Sequence, residues 1–256
     1  MSDHASEGML DPAACGISRV PRHVAVIMDG NGRWARARGL PRLQGHHEGA
    51  RAVRETLRTA YRLGVEYLTL YAFSEQNWGR PTDEVSGLMA LLLGHLKSEQ
   101  EEFMDLGIRF RGMGDTGRLP PTVLEELRAF EERSAGNTDM YLQVALSYGG
   151  RHEIVEAARR LAARVQAGEL ALEAIDEAAL GAELYLPDLP DPDLLIRTSG
   201  ELRVSNFMLW QIAYTELYIT DLYWPSFGKD SFIEALQQYG RRERRFGLTG
   251  QQVTGA

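Results

Sequence analysis

A carboxylate, two glycines and an arginine follow the first strand-like segment of the chain. The run Asp29-Gly30-Asn31-Gly32-Arg33-Trp34 comes directly after the apolar residues 24–28. Backbone N–H groups can approach an anion closely at glycine, and the N-terminus of a following helix adds its positive dipole end. Taken alone, the run fits a glycine-rich turn capped by Asp29 equally well, because short motifs recur by chance. It indicates either a phosphate cradle or a tight turn.

The stretch around this run is free of acids and rich in arginine. No aspartate or glutamate lies between residues 30 and 47, whereas four arginines and two histidines, including Arg42 and His46, fall there. Lys97 and Lys229 are the only lysines of the chain, so arginine carries nearly all the positive charge. Its planar guanidinium suits bidentate contact with phosphate. Genomic GC bias explains most of the arginine excess, so position along the chain decides which arginines matter.

Two more polar loops follow strand-like segments. Ser74-Glu75-Gln76-Asn77-Trp78-Gly79-Arg80 comes after the second, and the segment 197–206, with Arg197, Arg203, Val204 and Ser205, comes after the fifth. Capping and turn chemistry explains either loop when it is considered singly. In parallel sheets, however, ligands collect at the carboxyl ends of the strands. Three polar loops at one sheet edge therefore predict a site for an anion.

The elements that must position these loops alternate in type. Short β-branched or aromatic runs are separated by stretches of helical period. Strands are predicted at residues 24–28, 67–73, 108–111, 141–147, 194–197 and 217–220. Helices are predicted near residues 48–62, 82–105, 122–132, 152–165, 206–212 and 231–242. This order predicts an α/β fold with a mostly parallel sheet of about six strands, covered by helices on both faces.

Composition limits the class of protein. The chain has 256 residues, of which 44% are hydrophobic and 25% charged, and no linker-like segment divides it, so one large domain is expected. The formal charge of −8 argues against general binding to nucleic acid. Cys15 is the only cysteine, the start of the chain is acidic, and no apolar run approaches the length of a membrane span. The sequence predicts a cytosolic protein.

Several common catalytic schemes lack their residues. Gly112-Met113-Gly114-Asp115-Thr116-Gly117 has dinucleotide-motif spacing, but the two prolines after it postpone the required helix. An aspartyl phosphotransferase needs a nucleophilic aspartate where Ile27 stands. No Walker loop, His-Glu-x-x-His or Gly-x-Ser-x-Gly occurs, so nucleotide hydrolysis, zinc proteolysis and α/β-hydrolase chemistry are disfavoured.

Together the three loops resemble the cis-prenyltransferases, most closely the bacterial undecaprenyl diphosphate synthases. The resemblance covers residues 23–35, 73–80 and 193–216 and ends with Arg241-Arg242-Glu243-Arg244-Arg245-Phe246-Gly247. It implies a catalytic domain over residues 21–247 with a hydrophobic tunnel, flanked by a flexible tail at 1–20 and a C-terminal tail at 248–256. The implied reaction condenses isopentenyl diphosphate units in cis onto an allylic diphosphate such as farnesyl diphosphate. A short-chain synthase and a noncatalytic partner subunit of the same fold are the alternatives.

The resemblance also assigns roles to residues. The allylic diphosphate would be bound by Gly30, Asn31, Gly32, Arg33, Arg42 and Arg80, with Trp34 and His46 beside it. Isopentenyl diphosphate would be bound by Arg197, Arg203 and Ser205. Further substrate contacts would come from Ser74, Glu75, Gln76, Trp78 and Val204. Mg²⁺ would be held by Asp29, with Glu216 as a second ligand, which suits a hard ion that binds carboxylate and phosphate oxygens.

One position departs from the family pattern. The family loop reads Phe-Ser-(Ser/Thr)-Glu-Asn-Trp, whereas this chain has Phe73-Ser74-Glu75-Gln76-Asn77-Trp78. Gln76 forms hydrogen bonds but carries no charge, so a charge-dependent role of the family glutamate is in question here. Asn77, the second catalytic candidate after Asp29, would lie with Ser74 near the proton that leaves. Asparagine is a poor base, so substrate phosphate or water is expected to take that proton.

The resemblance extends to the product and the assembly. The apolar stretch 85–96 is read as a core helix that also lines the tunnel, with Ala72 and Met140 as tunnel-facing candidates. A small residue at position 72 favours a long product near eleven isoprene units, delivered to a membrane surface. Arg245 and Gly247 resemble an element that reaches the isopentenyl diphosphate site of a second subunit, so an obligate homodimer is expected.

Overall fold

A six-stranded parallel sheet organises the computed structural model, which describes residues 8–242. The strands are β1 (His23–Ile27), β2 (Tyr67–Ser74), β3 (Ile108–Met113), β4 (Met140–Tyr148), β5 (Leu194–Arg197) and β6 (Glu216–Ile219). Their order across the sheet is β3-β4-β2-β1-β5-β6, and all five neighbouring pairs run parallel. The predicted α/β fold with a mostly parallel sheet is confirmed.

Helices follow the strands along the chain. They are α1 (Asn31–Arg36), α2 (Arg42–Arg62), α3 (Thr82–Ser98), α4 (Gln100–Asp105), α5 (Pro121–Arg133), α6 (Gly150–Gln166), α7 (Glu177–Ala182) and α8 (Lys229–Gly240). None of those within residues 8–242 is long and apolar enough to cross a bilayer. The chain leaves β1 for β2 on one side and later returns to β5 on the other side of β1. This reversal opens a crevice at the carboxyl end of β1, where open α/β sheets bind ligands.

Burial on both faces explains why β1 is almost purely apolar. Every residue of β1 is buried, as expected for a central strand of a parallel sheet. Val24 and Val26 belong to the larger apolar core on one face, and Ala25 and Ile27 belong to a smaller core on the other. The alternation follows from the two-residue period of a strand. Two separate cores thus hold the sheet from opposite sides.

Three local expectations from the sequence are corrected. Residues 206–212 form consecutive turns instead of a helix, because Asn206 and Met208 have positive φ values of 63° and 45°, which a right-handed helix excludes. The helix predicted over 82–105 ends at Ser98 and resumes at Gln100. The short helices α1 and α7 were not predicted.

The segment before β1 packs against the domain over residues 8–20. Leu10 N–H donates to Arg62 O at 2.8 Å, and Gln237 Nε2 donates to Cys15 O at 2.6 Å. Ile17 is almost fully buried. This part of the expected flexible tail is therefore held against α2 and α8. The expected C-terminal tail at 248–256 lies outside the described residues, as does the last part of the expected domain.

A polar chain crosses the sheet inside this apolar surrounding. His23 Nε2 lies 2.7 Å from Thr69 Oγ1, which donates to Gln143 Oε1 at 3.1 Å, and His23 Nδ1 lies 2.6 Å from Pro190 O. All three side chains are fully buried. Burial lowers the pKa of His23 to about 4, so the imidazole is neutral at neutral pH.

The buried imidazole should make stability depend on pH. Because the pKa of His23 falls from 6.5 to about 4 on folding, the unfolded chain binds more protons between these values. The stability linked to neutral His23 is therefore complete above about pH 6.5 and is lost as the pH falls toward 4. From about pH 7.5 to about pH 5, this group should remove about 2 kcal/mol of unfolding free energy.

Urea unfolding of the wild-type chain and of His23→Gln at these two pH values measures this contribution. The variant should lose about 2 kcal/mol less than the wild type over the interval. Equal losses would mean that His23 titrates normally in the folded chain.

Candidate active site

Most of the predicted site residues meet at the carboxyl ends of β1, β2 and β5. A cavity of about 710 Å³ opens there, next to a second cavity of about 410 Å³. The predicted residues that line the first are Asp29, Asn31, His46, Ser74, Gln76, Asn77, Arg80, Arg197, Arg203 and Ser205. The second adds Gly30, Gly32, Arg33 and Arg42. The three polar loops therefore converge as the strand order predicts.

Asp29 is fixed between two guanidinium groups. Its Oδ2 accepts from Arg197 Nη2 at 2.8 Å, and its Oδ1 lies 3.1 Å from Arg33 Nη2. Thr198 Oγ1 donates to its backbone carbonyl at 2.7 Å. Burial pushes the pKa of Asp29 upward, but the hydrogen bonds and charges of Arg197 and Arg33 outweigh it and hold the pKa below its ordinary value. The carboxylate is therefore ionised at neutral pH.

Glycine at position 30 is required by its surroundings. Gly30 has a φ of 102°, and a Cβ there would lie 2.8 Å from Tyr223 Cδ1 and 3.0 Å from Ser199 Oγ. The backbone can turn directly from β1 into α1 only without a side chain. The first loop is thus both a tight turn and part of the cavity wall, which joins the two interpretations that the sequence left open.

Two glycines of α2 were overlooked as part of the site. A Cβ on Gly45 would lie 2.1 Å from Asn31 O, and one on Gly49 would lie 2.6 Å from Asn31 Oδ1. Because neither glycine has a side chain, α2 lies directly against α1, and His46 reaches the cavity. The sequence does contain a signal for this close helix contact, since Gly45 and Gly49 are four residues apart and so lie on one helix face.

Arg197 ties the fifth-strand loop to Asp29. Only 3% of its side chain is exposed, and its Nη1 donates to Ser205 Oγ at 2.7 Å and to the backbone carbonyl of Arg203. Its Nε is buried without a hydrogen-bond partner among the described residues. A guanidinium so deeply buried is held by several acceptors at once, which fixes the position of Ser205 beside the carboxylate.

Three buried side chains to which the sequence assigned no role in the site support this loop. Tyr148 Oη accepts from Met208 N–H at 3.1 Å and donates to Glu153 Oε2 at 2.5 Å. Tyr71 Oη donates to Ser205 O at 3.4 Å. Burial raises the pKa of Glu153 above its ordinary value. The positive φ values of Ser205 and Met208 persist because these contacts determine the loop.

Two further carboxylates neutralise the arginines of the site. Glu201 contacts Arg33 Nη1 at 2.8 Å and also pairs with Arg203. Glu84 Oε1 lies 3.2 Å from Arg42 Nε and 3.0 Å from Arg80 Nη1. Each carboxylate is shared by two guanidinium groups, which leaves N–H donors for a further anion. Glu84 and Glu201 were not predicted as site residues, because only positive charge was expected around an anion.

The second loop is built around its own asparagine. Asn77 Oδ1 accepts from Ser74 N–H at 3.0 Å and forms a capping box with the serine. The accepting atom of the amide is therefore occupied, which supports an orienting role for Asn77 over a basic one. Gln76 lines the cavity, whereas Glu75 Oε1 lies 3.8 Å from Arg118 Nη1. The displaced acid thus lies away from the cavity.

His46 contributes a neutral imidazole. Burial lowers its pKa to about 4, with further lowering from Arg80 and Arg42. Its Nδ1 lies 3.4 Å from Asn31 Nδ2. His46 Nε2 and Asn31 Oδ1 are buried and have no hydrogen-bond partner among the described residues.

Five predicted residues do not line these cavities. They are Trp34, Glu75, Trp78, Val204 and Glu216. Trp34 Nε1 donates to Ser226 Oγ at 3.1 Å, and Trp78 Nε1 donates to Ser147 Oγ at 2.9 Å. Both indoles therefore act as supports of the loops within this chain.

Glu216 lies at the wrong edge of the sheet to join Asp29 within one chain. It is the first residue of β6 and pairs with Leu194, the first residue of β5, whereas Asp29 follows the last residue of β1. Its Oε2 lies 3.0 Å from Arg242 Nη1. Ligation of Mg²⁺ by Glu216 together with Asp29 therefore stays a prediction from the family resemblance. Arg245 and Gly247 lie outside the described residues.

A single carboxylate fits a magnesium ion that arrives with its substrate. Among residues 8–242, no group of three histidine, cysteine or acidic side chains is arranged to hold a metal. Mg²⁺ commonly binds one or two carboxylates and completes its shell with substrate phosphates and water. Ionised Asp29, at the mouth of an arginine-lined cavity, fits that donor set.

An apolar cavity of about 150 Å³ continues from the polar one. Ala72 lines both, as the tunnel hypothesis requires of a residue that controls the passage. Met140 is fully buried in the core and does not line either cavity, so its place near the tunnel floor stays a prediction. The charged cavity, which suits the anionic head group of a ligand, is therefore adjacent to the apolar cavity, which suits a hydrocarbon tail.

Comparison with known proteins agrees with this geometry. A family model described as "Putative undecaprenyl diphosphate synthase" matches residues 27–247. A synthase of Xanthomonas axonopodis pv. citri named ditrans,polycis-undecaprenyl-diphosphate synthase ((2E,6E)-farnesyl-diphosphate specific) is 51% identical over 234 residues, 91% of each chain. The synthase of the same name from Vibrio cholerae is 48% identical over 91% of this chain and 94% of its own.

Solved structures share the fold over nearly the whole chain. Lavandulyl diphosphate synthase from Lavandula x intermedia, in complex with dimethylallyl diphosphate, superposes with a TM-score of 0.86 at 40% identity, covering 89% of this chain and 98% of its own. A probable undecaprenyl diphosphate synthase from Campylobacter jejuni gives 0.74 at 31% identity, covering 90% and 99%. On this evidence the chain belongs to the undecaprenyl diphosphate synthase family of prenyltransferases.

Proposed function

We propose that this chain condenses isopentenyl diphosphate units in cis onto farnesyl diphosphate to make undecaprenyl diphosphate, the precursor of the lipid carrier of cell-wall glycans. The observation that carries the proposal is the placement of Asp29, fixed by Arg33 and Arg197, at the junction of an arginine-lined cavity and an apolar one. The names of the relatives specify farnesyl diphosphate and support this choice of starter.

The two diphosphates would bind on opposite sides of Asp29. The allylic diphosphate would be held by the wall of the second cavity, through Arg33, Arg42 and Arg80 with the Gly30–Gly32 turn. Isopentenyl diphosphate would be held by Arg197, Arg203 and Ser205 in the larger cavity. Each diphosphate would take over guanidinium donors that Glu84 and Glu201 occupy in the free chain. Charge-assisted bidentate contacts favour phosphate in such an exchange.

Condensation requires the departure of diphosphate with the electrons of the allylic C–O bond. A new C–C bond forms to the alkene of isopentenyl diphosphate, and a proton then leaves that unit. The arginines around Asp29 would stabilise the charge that develops on the leaving group. Mg²⁺, when bound with the diphosphate at Asp29, would supply Lewis-acid neutralisation of the same charge. Asn77 would orient the reacting group, while a phosphate oxygen or water accepts the proton.

The enzyme is proposed to work as a cytoplasmic homodimer whose product leaves toward a membrane surface. An amphiphile with a long apolar tail has a strong preference for a lipid phase. An interface between two copies of the chain is supported by exposed apolar side chains on and beside the edge strand β6. These side chains are Leu202, Tyr214, Leu217 and Leu222.

Product analysis tests the function directly. The purified chain is incubated with farnesyl diphosphate, labelled isopentenyl diphosphate and Mg²⁺, and the dephosphorylated products are sized by chromatography. Products near eleven isoprene units are expected. Predominantly short products would instead support the short-chain alternative, and no incorporation of label would support a noncatalytic subunit.

Asp29→Ala should fold but lose most of its turnover. The substitution removes the ligand for the diphosphate-bound metal and leaves Arg33 and Arg197 without their shared carboxylate. We expect kcat to fall by roughly a hundredfold or more. Steady-state rates at saturating Mg²⁺, with circular dichroism as the control for folding, measure the effect. Near-normal turnover of the folded variant would contradict the assignment.

Ala72→Leu should shorten the product without preventing the first condensation. The larger side chain would obstruct the passage between the polar and apolar cavities. Product sizing should show a lower mean chain length at a similar initial rate. Ala158→Leu, which adds the same atoms to an exposed position on α6, is the matched control. A product distribution that is unchanged in both variants would refute the placement of Ala72.

Arg245 is proposed to complete the isopentenyl diphosphate site of the second subunit. Inactive Asp29→Ala and Arg245→Ala subunits, once mixed, should regain activity, because some heterodimers hold one site free of both changes. Subunit exchange is verified with differently tagged chains. A mixture that exchanges but stays inactive would show that Arg245 does not act across the interface.

A further inference from the structure

The second loop is contacted from outside the cavity by one arginine. Arg118 Nη1 lies 3.8 Å from Glu75 Oε1, and Arg118 Cζ lies 5.5 Å from the centroid of the Trp78 ring. Glu75 and Trp78 both belong to the short 3₁₀ helix Glu75–Gly79, which follows β2 directly. A guanidinium from a distant part of the chain thus contacts a carboxylate and an indole of the same helix.

Arg118 comes from the glycine-containing segment 112–118 at the end of β3, whose spacing resembles a dinucleotide motif. Gly114 has a φ of 123°, and a Cβ there would collide with Leu146 O of β4. The segment can therefore lie against β4 only without a side chain at this position. Leu119, directly after Arg118, is almost fully buried. Close packing on β4 explains the glycine, and it brings Arg118 beside the second loop.

Ser147 of β4 links this segment to the second loop. Its Oγ accepts from Trp78 Nε1 at 2.9 Å, and its carbonyl oxygen accepts from Asp115 N–H at 3.4 Å. Phe73, near the end of β2, packs edge-on against the Trp78 ring, with the centroids 4.8 Å apart. The indole is thus fixed by Ser147, Phe73 and Arg118 together.

The displaced acid of the second loop makes the charged contact possible. In the family pattern the acid stands at the position of Gln76, which lines the polar cavity, whereas here it is Glu75 beside Arg118. The end of β4 leaves room for this carboxylate, because a Cβ on Gly149 would lie 2.9 Å from Glu75 Oε2. The departure from the family pattern thus places a charge where it anchors the loop.

The same short helix also contributes to the wall of the polar cavity. Gln76 and Asn77 line the cavity, as does Arg80 directly after the helix. Arg80 N–H donates to Asn77 O at 3.1 Å, which couples the two residues through the backbone. Since the helix has only five residues, its cavity side cannot move independently of the side that carries Glu75 and Trp78.

We propose that Arg118 is a positioning residue for the condensation and holds the second loop in place through Glu75 and Trp78. The kinetic part rests on the proposed function, since it requires Arg80 to bind the allylic diphosphate and Asn77 to orient the reacting group. Without the contact, the substrate must order the loop, and the free energy of ordering is lost from binding. Farnesyl diphosphate should therefore be affected, whereas isopentenyl diphosphate, bound by arginines of the loop after β5, should not.

Arg118→Gln removes the charge at an exposed position. Arg118→Lys keeps the charge, and Arg128→Gln makes the same exchange at an exposed position of α5 as the matched control. Initial rates of label incorporation give kcat and KM for each substrate, and circular dichroism is the control for folding. For Arg118→Gln, kcat/KM for farnesyl diphosphate should fall about fivefold, as expected for a half-exposed ion pair with a cation–π contact. The KM for isopentenyl diphosphate should not change, and Arg118→Lys should retain most of the activity.

Hydrogen exchange in the free chain tests the contact independently of activity. Peptides that span residues 74–80 should exchange about fivefold faster in Arg118→Gln than in the wild type or Arg128→Gln. The double variant Glu75→Gln/Arg118→Gln should exchange no faster than Arg118→Gln, because the two side chains share one contact.

Two results would overturn the proposal. The first is exchange over residues 74–80 that is equally fast in Arg118→Gln and the wild type. The second is an equal rise of KM for both substrates, which would indicate general damage to the site. Absence of label incorporation by the wild type would instead contradict the proposed function and the kinetic role of Arg118 with it, while the exchange rates would still decide whether Arg118 holds the loop.

Discussion

The ion pair between Asp29 and Arg197 is the contact on which the site depends. The two residues terminate neighbouring parallel strands, and the Arg197 side chain is almost completely withdrawn from water. A buried guanidinium is tolerable only with its acceptors in place, so the pair fixes the carboxyl ends of β1 and β5 relative to each other. Ser205 and the backbone of Arg203 complete the acceptor set. The position of the whole loop after β5 follows from the need to provide hydrogen-bond acceptors for the Arg197 side chain.

Electrostatic balance in the free chain comes from acids placed among the arginines. Glu84 and Glu201 each bridge two guanidinium groups, and Asp29 bridges a third pair. His46, beside Arg42 and Arg80, avoids further positive charge by staying neutral. Such a network of ion pairs holds the arginine side chains in place without substrate, which reduces the side-chain ordering that substrate binding would otherwise require. Preorganised charge of this kind is also what stabilises a departing anion.

The sequence predicted the sheet and the three converging loops because both rest on simple rules. Apolar runs mark buried parallel strands, and polar residues after them mark the ligand-binding edge. The same rule argues against Glu216, which begins a strand; its assignment came from family resemblance alone. Residues 206–212 looked helical because their apolar spacing is right, but the left-handed backbone of Asn206 and Met208 is imposed by Tyr148, Gly150 and Arg151 far away in sequence. Glu84 was missed because only positive charge was expected around an anion, although its partner Arg80 lies four residues before it.

The strand order also has a consequence for biosynthesis. One of the two neighbours of β1, β5, leaves the ribosome about 170 residues after it, as the 169-residue separation of Asp29 and Thr198 shows. At about 5–20 residues per second, an apolar strand edge stays unpaired for roughly ten to thirty seconds. Nascent chains with such long-range pairing fold slowly and are exposed to aggregation. Pairing with β2 covers one edge of β1, and the other edge stays open to incorrect pairing until β5 has been synthesised.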